Sequence, residues 1–137
     1  MKTIVVGYDD TEPAKRALTR TAELVTAFKA KAIVISVAPV LSPAAHGIGP
    51  IDPADPPELH REELKRAEAL LEERGVEADY QVALGDPADA ILELAEKHGA
   101  DMIVVGSREV GLIQRLLGQS VSGAVQRKAH CDVLIVH

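Results

Sequence analysis

The feature that most constrains this chain is a set of short apolar runs with few polar interruptions. Thr3-Ile4-Val5-Val6-Gly7, Ala32 to Val37, Met102-Ile103-Val104-Val105 and Val133 to Val136 are rich in β-branched residues. Runs without polar alternation read as strands buried on both faces. Ala78 to Leu84 is a fifth strand, and its polar Asp79 and Gln81 suggest an edge or a partly exposed face. Between the runs lie segments of helical period. Strand and helix therefore alternate, with order β-α-β-α-β-α-β-loop-α-β. Such alternation predicts an α/β fold, a parallel sheet with helices on both faces joined by right-handed crossovers.

Local chemistry marks the helix ends. Asp10 or Thr11 is placed to cap the first helix, with Pro13 in its first turn. Ala14, Ala17, Leu18, Thr21, Ala22, Val25 and Phe28 recur at helical spacing to about Lys29. Glu58 to Arg74 forms a second helix, with Leu64, Ala67, Leu70 and Leu71 inward and Gly75 at its end. Gly85-Asp86-Pro87 is the clearest helix start, and Ala88, Ile91, Leu92 and Ala95 are its predicted inner face. A last helix is expected from near Ser120 to Ala129, with Val121, Ala124 and Val125 inward. Residues 38–57 hold Pro39, Pro43, Pro50, Pro53, Pro56 and Pro57, a density that no regular element survives. This stretch is expected to be a long loop, either a lid or a solvated connector. Residues 1–137 read as one domain, without internal repeats.

Composition narrows the function. A formal net charge of −6, and only Tyr8, Phe28 and Tyr80 as aromatics, argue against nucleic-acid binding. No run approaches the roughly 18 apolar residues that span a membrane. Met1-Lys2 leads straight into a strand, and the single Cys131 excludes an internal disulfide, so a cytoplasmic protein is expected.

Ligands on parallel sheets bind beyond the carboxyl ends of the strands, where strand order reverses. Three loops fall at that end: Tyr8-Asp9-Asp10, the start of the proline-rich loop, and Gly106 to Glu109. The last follows a buried strand and leads through Gly111 and Gly118 to Ser120. A strand that ends in glycine before a loop and helix can hold phosphate on backbone N–H groups and a helix N-terminus.

VVGYDDTEPAKRAL, GDPADAILELAEKHGADMIVVGSR, RLLGQSVS and HCDVLIV together resemble the universal stress protein family over essentially the whole chain. The resemblance implies a doubly wound, five-stranded parallel sheet in the order 3-2-1-4-5. It also implies a homodimer paired through the last strand, which suits the apolar terminal run. Part of the family binds ATP through a glycine signature. On that pattern Gly106 matches the first glycine and Ser120 the final serine, followed by Val121. Asp9 matches the aspartate after strand 1, and Val37 the position beside adenine. Val105 and Arg108 flank the first glycine. The implied nucleotide-binding set is thus Asp9, Val37, Val105, Gly106, Arg108, Ser120 and Val121, with ATP or another adenine nucleotide and Mg²⁺ as cofactors. Glu109 and Gln119 fall where the two other glycines belong, and Gly111 and Gly118 lie out of register. At about 5 Å from a phosphate and an effective dielectric of 20, the Glu109 charge costs roughly 3 kcal/mol before screening.

Two functions stay open on the sequence. One is a stress-response module that binds an adenine nucleotide. The other is a dimeric regulatory protein of the same fold with a degenerate site, acting through an unidentified protein partner. An enzyme is not expected beyond weak ATP hydrolysis, because no histidine is spaced for a triad with Ser107 or Ser120. Asp9 and Asp10 can serve as ligand groups, for ribose or for Mg²⁺ with a phosphate, or as a turn residue and a cap. His130-Cys131-Asp132 cannot converge on a metal along one strand, and His46 and His60 merely bracket the proline-rich loop. Arg108, Arg115 and Arg127 read as a solvated face or a small basic patch.

Overall fold

The computed structural model describes residues 1–38, 56–107 and 121–137. Five strands form one parallel sheet: β1 (Thr3–Gly7), β2 (Lys31–Ala38), β3 (Ala78–Leu84), β4 (Met102–Gly106) and β5 (Asp132–Val136). The described helices are α1 (Glu12–Phe28), α2 (Pro57–Glu72), α3 (Pro87–Lys97) and α4 (Val121–Lys128). The strand order is β3-β2-β1-β4-β5, as the resemblance implied. In register, β1 pairs Val5 with Ile33 of β2 on one side and with Ile103 of β4 on the other.

Alternation along the strands divides the core. Ile4, Val6, Val34 and Val104 point to the α1 and α2 side, against Leu18, Leu64 and Leu71. Val5, Ile33, Ile35, Ile103 and Val105 point to the other, against Ile91, Leu94 and Val125 of α3 and α4. Ile4, Val5 and Val6 have no exposed surface. That double burial is why these runs carry no polar alternation. At the edge, β3 alternates exposed and half-buried residues, as its polar positions predict.

One of the two residues expected to cap α1 does so, and the buried stripes of α2 and α3 differ from expectation in detail. Thr11, not Asp10, caps α1, accepting from the Ala14 N–H at 3.3 Å. Asp10 instead adopts the left-handed conformation, with φ of 62°. The buried stripe of α2 is His60, Leu64, Ala67 and Leu71, with Leu70 only half-buried. On α3 Leu94 takes the place expected of Leu92. Asp86 caps α3 as predicted, accepting from the Asp89 N–H at 2.9 Å. Most of the proline-rich loop lies outside the described residues.

Candidate functional site

A parallel sheet gathers its strand ends on one side. The chain runs outward from β1 through β2 to β3, then crosses back to β4 and β5. The loops after β1 and β4 therefore part on opposite sides of the sheet and leave a cleft between them. In this chain the cleft has a volume of about 280 Å³. Gly7, Tyr8, Asp9 and Thr11 line it from β1 and its loop, Ile35 and Val37 from β2, and Val105 and Gly106 from β4. Helices close it with Ala14, His60, Pro87, Ile91, Val121 and Ser122.

Five residues singled out in the sequence thus meet around one space: Asp9, Val37, Val105, Gly106 and Val121. The two others, Arg108 and Ser120, lie outside the described residues, as do Glu109, Gln119, Arg115 and His46. Tyr8 belongs to the loop expected at this end, whereas Pro87, Ile91 and His60 join the cleft without having been singled out for it.

The loop after β1 is held by its own side chains. Thr11 donates its hydroxyl to Asp9 Oδ1 at 2.6 Å, and its N–H reaches the same oxygen at 3.3 Å. Tyr8, only 3% exposed, donates its hydroxyl to Asp10 Oδ1 at 2.6 Å. Burial first, and then this bond, push the Tyr8 phenol well above its ordinary pKa, while Arg66 pulls the other way. Arg66 Nε of α2 donates to Asp10 Oδ2 at 3.0 Å. Asp10 is thereby a fastening between loop and helix, while Asp9 faces the cleft.

A second polar cluster lies under the β2 side. Ser36 has no exposed surface and His60 is 5% exposed. Ser36 Oγ lies 2.7 Å from His60 Nδ1 and donates to Glu63 Oε2 at 3.0 Å, which is itself 3.0 Å from Nδ1. Both Ser36 and Glu63 therefore meet the same ring nitrogen. A nucleophile triad needs them on opposite nitrogens, so this cluster has no triad geometry.

The starts of α1 and α3 face the cleft through Thr11, Ala14 and Pro87, and the first described residues of α4, Val121 and Ser122, line it as well. A helix start presents the positive end of a helix dipole. Gly106 adds backbone without a side chain. The opening is apolar on Ile35, Val37, Ile91 and Val105 and electropositive at the helix starts. Such a cleft suits a planar apolar group joined to an anion.

Beyond Gly106, Ser107 is tied to the end of β5. Its N–H donates to the Val136 carbonyl at 2.7 Å, and its hydroxyl lies 2.9 Å from His137 Nδ1. His130, Cys131 and Asp132 sit at the opposite end of the sheet, where β5 begins. Among the described residues no three His, Cys, Asp or Glu side chains converge as metal ligands. No described helix is long and apolar enough to cross a membrane.

A model of the Universal stress protein family matches residues 1–137. A universal stress protein of Thermus aquaticus is 35% identical over 137 residues, which cover 98% of each chain. One from Methanocaldococcus jannaschii is 32% identical over 138 residues, covering 98% of this chain and 81% of that protein. Among solved structures, a universal stress protein in complex with cAMP aligns with a TM-score of 0.78 at 30% identity, over 99% of this chain and 97% of the other. With its strand order and the match along its full length, this chain belongs to the universal stress protein family.

Proposed function

We propose that this protein is a stress-response module that binds an adenine nucleotide in the cleft between β1 and β4. One observation carries the reading: Asp9, Val37, Val105, Gly106 and Val121 surround a single space at the switch in strand order. The base packs on Val37 and Ile35, the ribose meets Asp9, and the phosphates lie toward Gly106, Val121 and the helix starts. A relative of 30% identity was solved with cAMP, which supports this class of ligand. Asp9 is the lining carboxylate and in this reading faces a nucleotide-bound Mg²⁺, while Asp10 is held away from the cleft by Tyr8 and Arg66. Arg108 and Ser120 complete the phosphate end in this reading. The protein acts by binding rather than turnover. It pairs with a second copy along the outer edge of β5.

Titration with ATP, ADP, AMP and cAMP, with and without Mg²⁺, tests the reading by calorimetry and thermal shift. Binding raises Tm with ligand concentration. No heat and no shift at millimolar nucleotide would sink it in favour of the degenerate regulatory protein. If Glu109→Gly then created binding, the degenerate site would be located at that side chain. Sedimentation tests the pairing: a dimer is expected, and Ile135→Lys on β5 is expected to give monomers.

A further inference from the structure

The loop after β1 carries two interleaved pairs of contacts. Residues 9 and 11 bond to each other, and Thr11 also caps α1. Residues 8 and 10 bond to each other, and Asp10 is held from outside the loop by Arg66. Tyr8, Asp9 and Thr11 line the cleft, whereas Asp10 and Arg66 do not. Asp10 has φ of 62°, a backbone conformation that L-residues other than glycine enter rarely. Both of its carboxylate oxygens are engaged, Oδ1 by Tyr8 and Oδ2 by Arg66. The Arg66 contact is charge-assisted and spans 56 residues of sequence.

We propose that Arg66 is a positioning residue for the cleft: by holding Asp10 in its left-handed conformation, it fixes the direction in which Asp9 faces the ligand. The inference rests on the nucleotide-binding reading above. Without Arg66, Asp10 keeps only the Tyr8 bond and its backbone relaxes toward the right-handed or extended regions. The peptides on both sides of Asp10 rotate in that change. Asp9 and Thr11 lie on those peptides, so their mutual bond and the aim of Asp9 shift with them. Arg66 itself is 54% exposed and does not line the cleft, so truncating it removes little packing.

Calorimetry with adenosine, cAMP and ATP tests this on the full chain. Arg66→Ala is expected to weaken all three by one common factor, up to about fivefold, the worth of one half-exposed ion pair. Adenosine has no charge, so a shared factor separates positioning from loss of a nearby cation. Arg66→Lys should recover part of the affinity. In an Asp9→Ala background the factor should vanish, because there is no Asp9 left to aim. Unchanged affinity in Arg66→Ala, or a loss confined to the phosphorylated ligands, would overturn the inference and leave nucleotide binding standing. Failure of the wild-type chain to bind any of the three would remove both.

Discussion

Gly106 lies against the backbone of Pro13. A β-carbon at Gly106 would sit 2.5 Å from the carbonyl carbon of Pro13 and 2.7 Å from the amide nitrogen of Ala14. The end of β4 is thus pressed onto the first turn of α1, and only glycine permits it. Gly106→Ala must push strand and helix apart, because backbone cannot rotate away as a side chain does. We expect a loss of about 1–3 kcal/mol in urea unfolding, together with weakened nucleotide binding. Gly7→Ala serves as the contrast. Its β-carbon would meet Ile91 Cδ1 at 2.8 Å, the tip of a side chain with other rotamers. The smaller loss belongs to Gly7→Ala, and the reverse ranking would refute the packing argument.

His60 is the buried link between α2 and β2. Its Nδ1 meets Ser36 and Glu63, and Ser36 has no solvent to turn to. Since the Glu63 carboxylate only accepts, the hydroxyl and the ring N–H both serve as donors around it. His60→Ala removes one donor and leaves a void beside two polar groups. A cost of about 2–4 kcal/mol is expected. His60→Asn should cost clearly less, since its amide N–H can occupy the place of Nδ1–H. Equal losses in the two variants would show that the hydrogen bonds contribute nothing beyond packing.

How far this architecture was legible follows from where its determinants lie. Buried strands betray themselves by local composition, so β1, β2, β4 and β5 could be read from their apolar runs, and α3 from Asp86-Pro87. Asp10 and Thr11 are both good caps, and local chemistry could not choose between them. In the fold the Asp10 carboxylate is taken by Tyr8 and by Arg66, a partner on another helix, and Thr11 makes the cap. The burial of His60 had a signal that its polarity obscured: positions 60, 64, 67 and 71 follow the spacing of an inward stripe. Leu94 displaced Leu92 for the same reason, since Ile91 and Leu94 are three residues apart on one face. In the cleft, the strand-end residues were legible as motif positions. Pro87 and Ile91 were not, because only the crossover of α3 brings them there.

Asp101 makes stability depend on pH in acid. Its Oδ2 accepts from the Lys2 N–H at 2.8 Å and the Thr3 N–H at 3.0 Å, joining the start of β4 to that of β1. Those two backbone bonds hold the carboxyl below its ordinary pKa, outweighing a small effect of burial. A carboxylate with a lowered folded-state pKa stabilises the fold above its unfolded value, near 3.9, and the effect is lost as pH falls through the folded value. Asp101→Ala should therefore lower Tm at neutral pH. The gap between variant and wild type should close progressively below about pH 4. A gap that stays constant down to strong acid would exclude the ionised carboxylate as its cause.

The alkaline side rests on tyrosine. The chain has two tyrosines and no tryptophan, so near-ultraviolet phenolate absorbance reports Tyr8 and Tyr80 alone. Burial raises both, and the Tyr8 phenol is raised further by its bond to Asp10. Tyr80 is pushed up to about 12, by burial first and then by the charges of Glu68 and Glu72. Folded-state values above the unfolded value of about 10 mean that stability from these groups is fully present below that pH. It is lost as pH rises through the folded values. In the native chain, phenolate should thus appear only well above pH 10 and together with loss of helical circular dichroism. In strong urea both residues should titrate near 10. Arg66→Ala sharpens the test, because Arg66 pulls the Tyr8 pKa down. Removing it should move Tyr8 still higher and leave Tyr80, which Arg66 does not influence, where it was. Native tyrosines that ionise near pH 10 without unfolding would show that neither phenol is held as the structure places it.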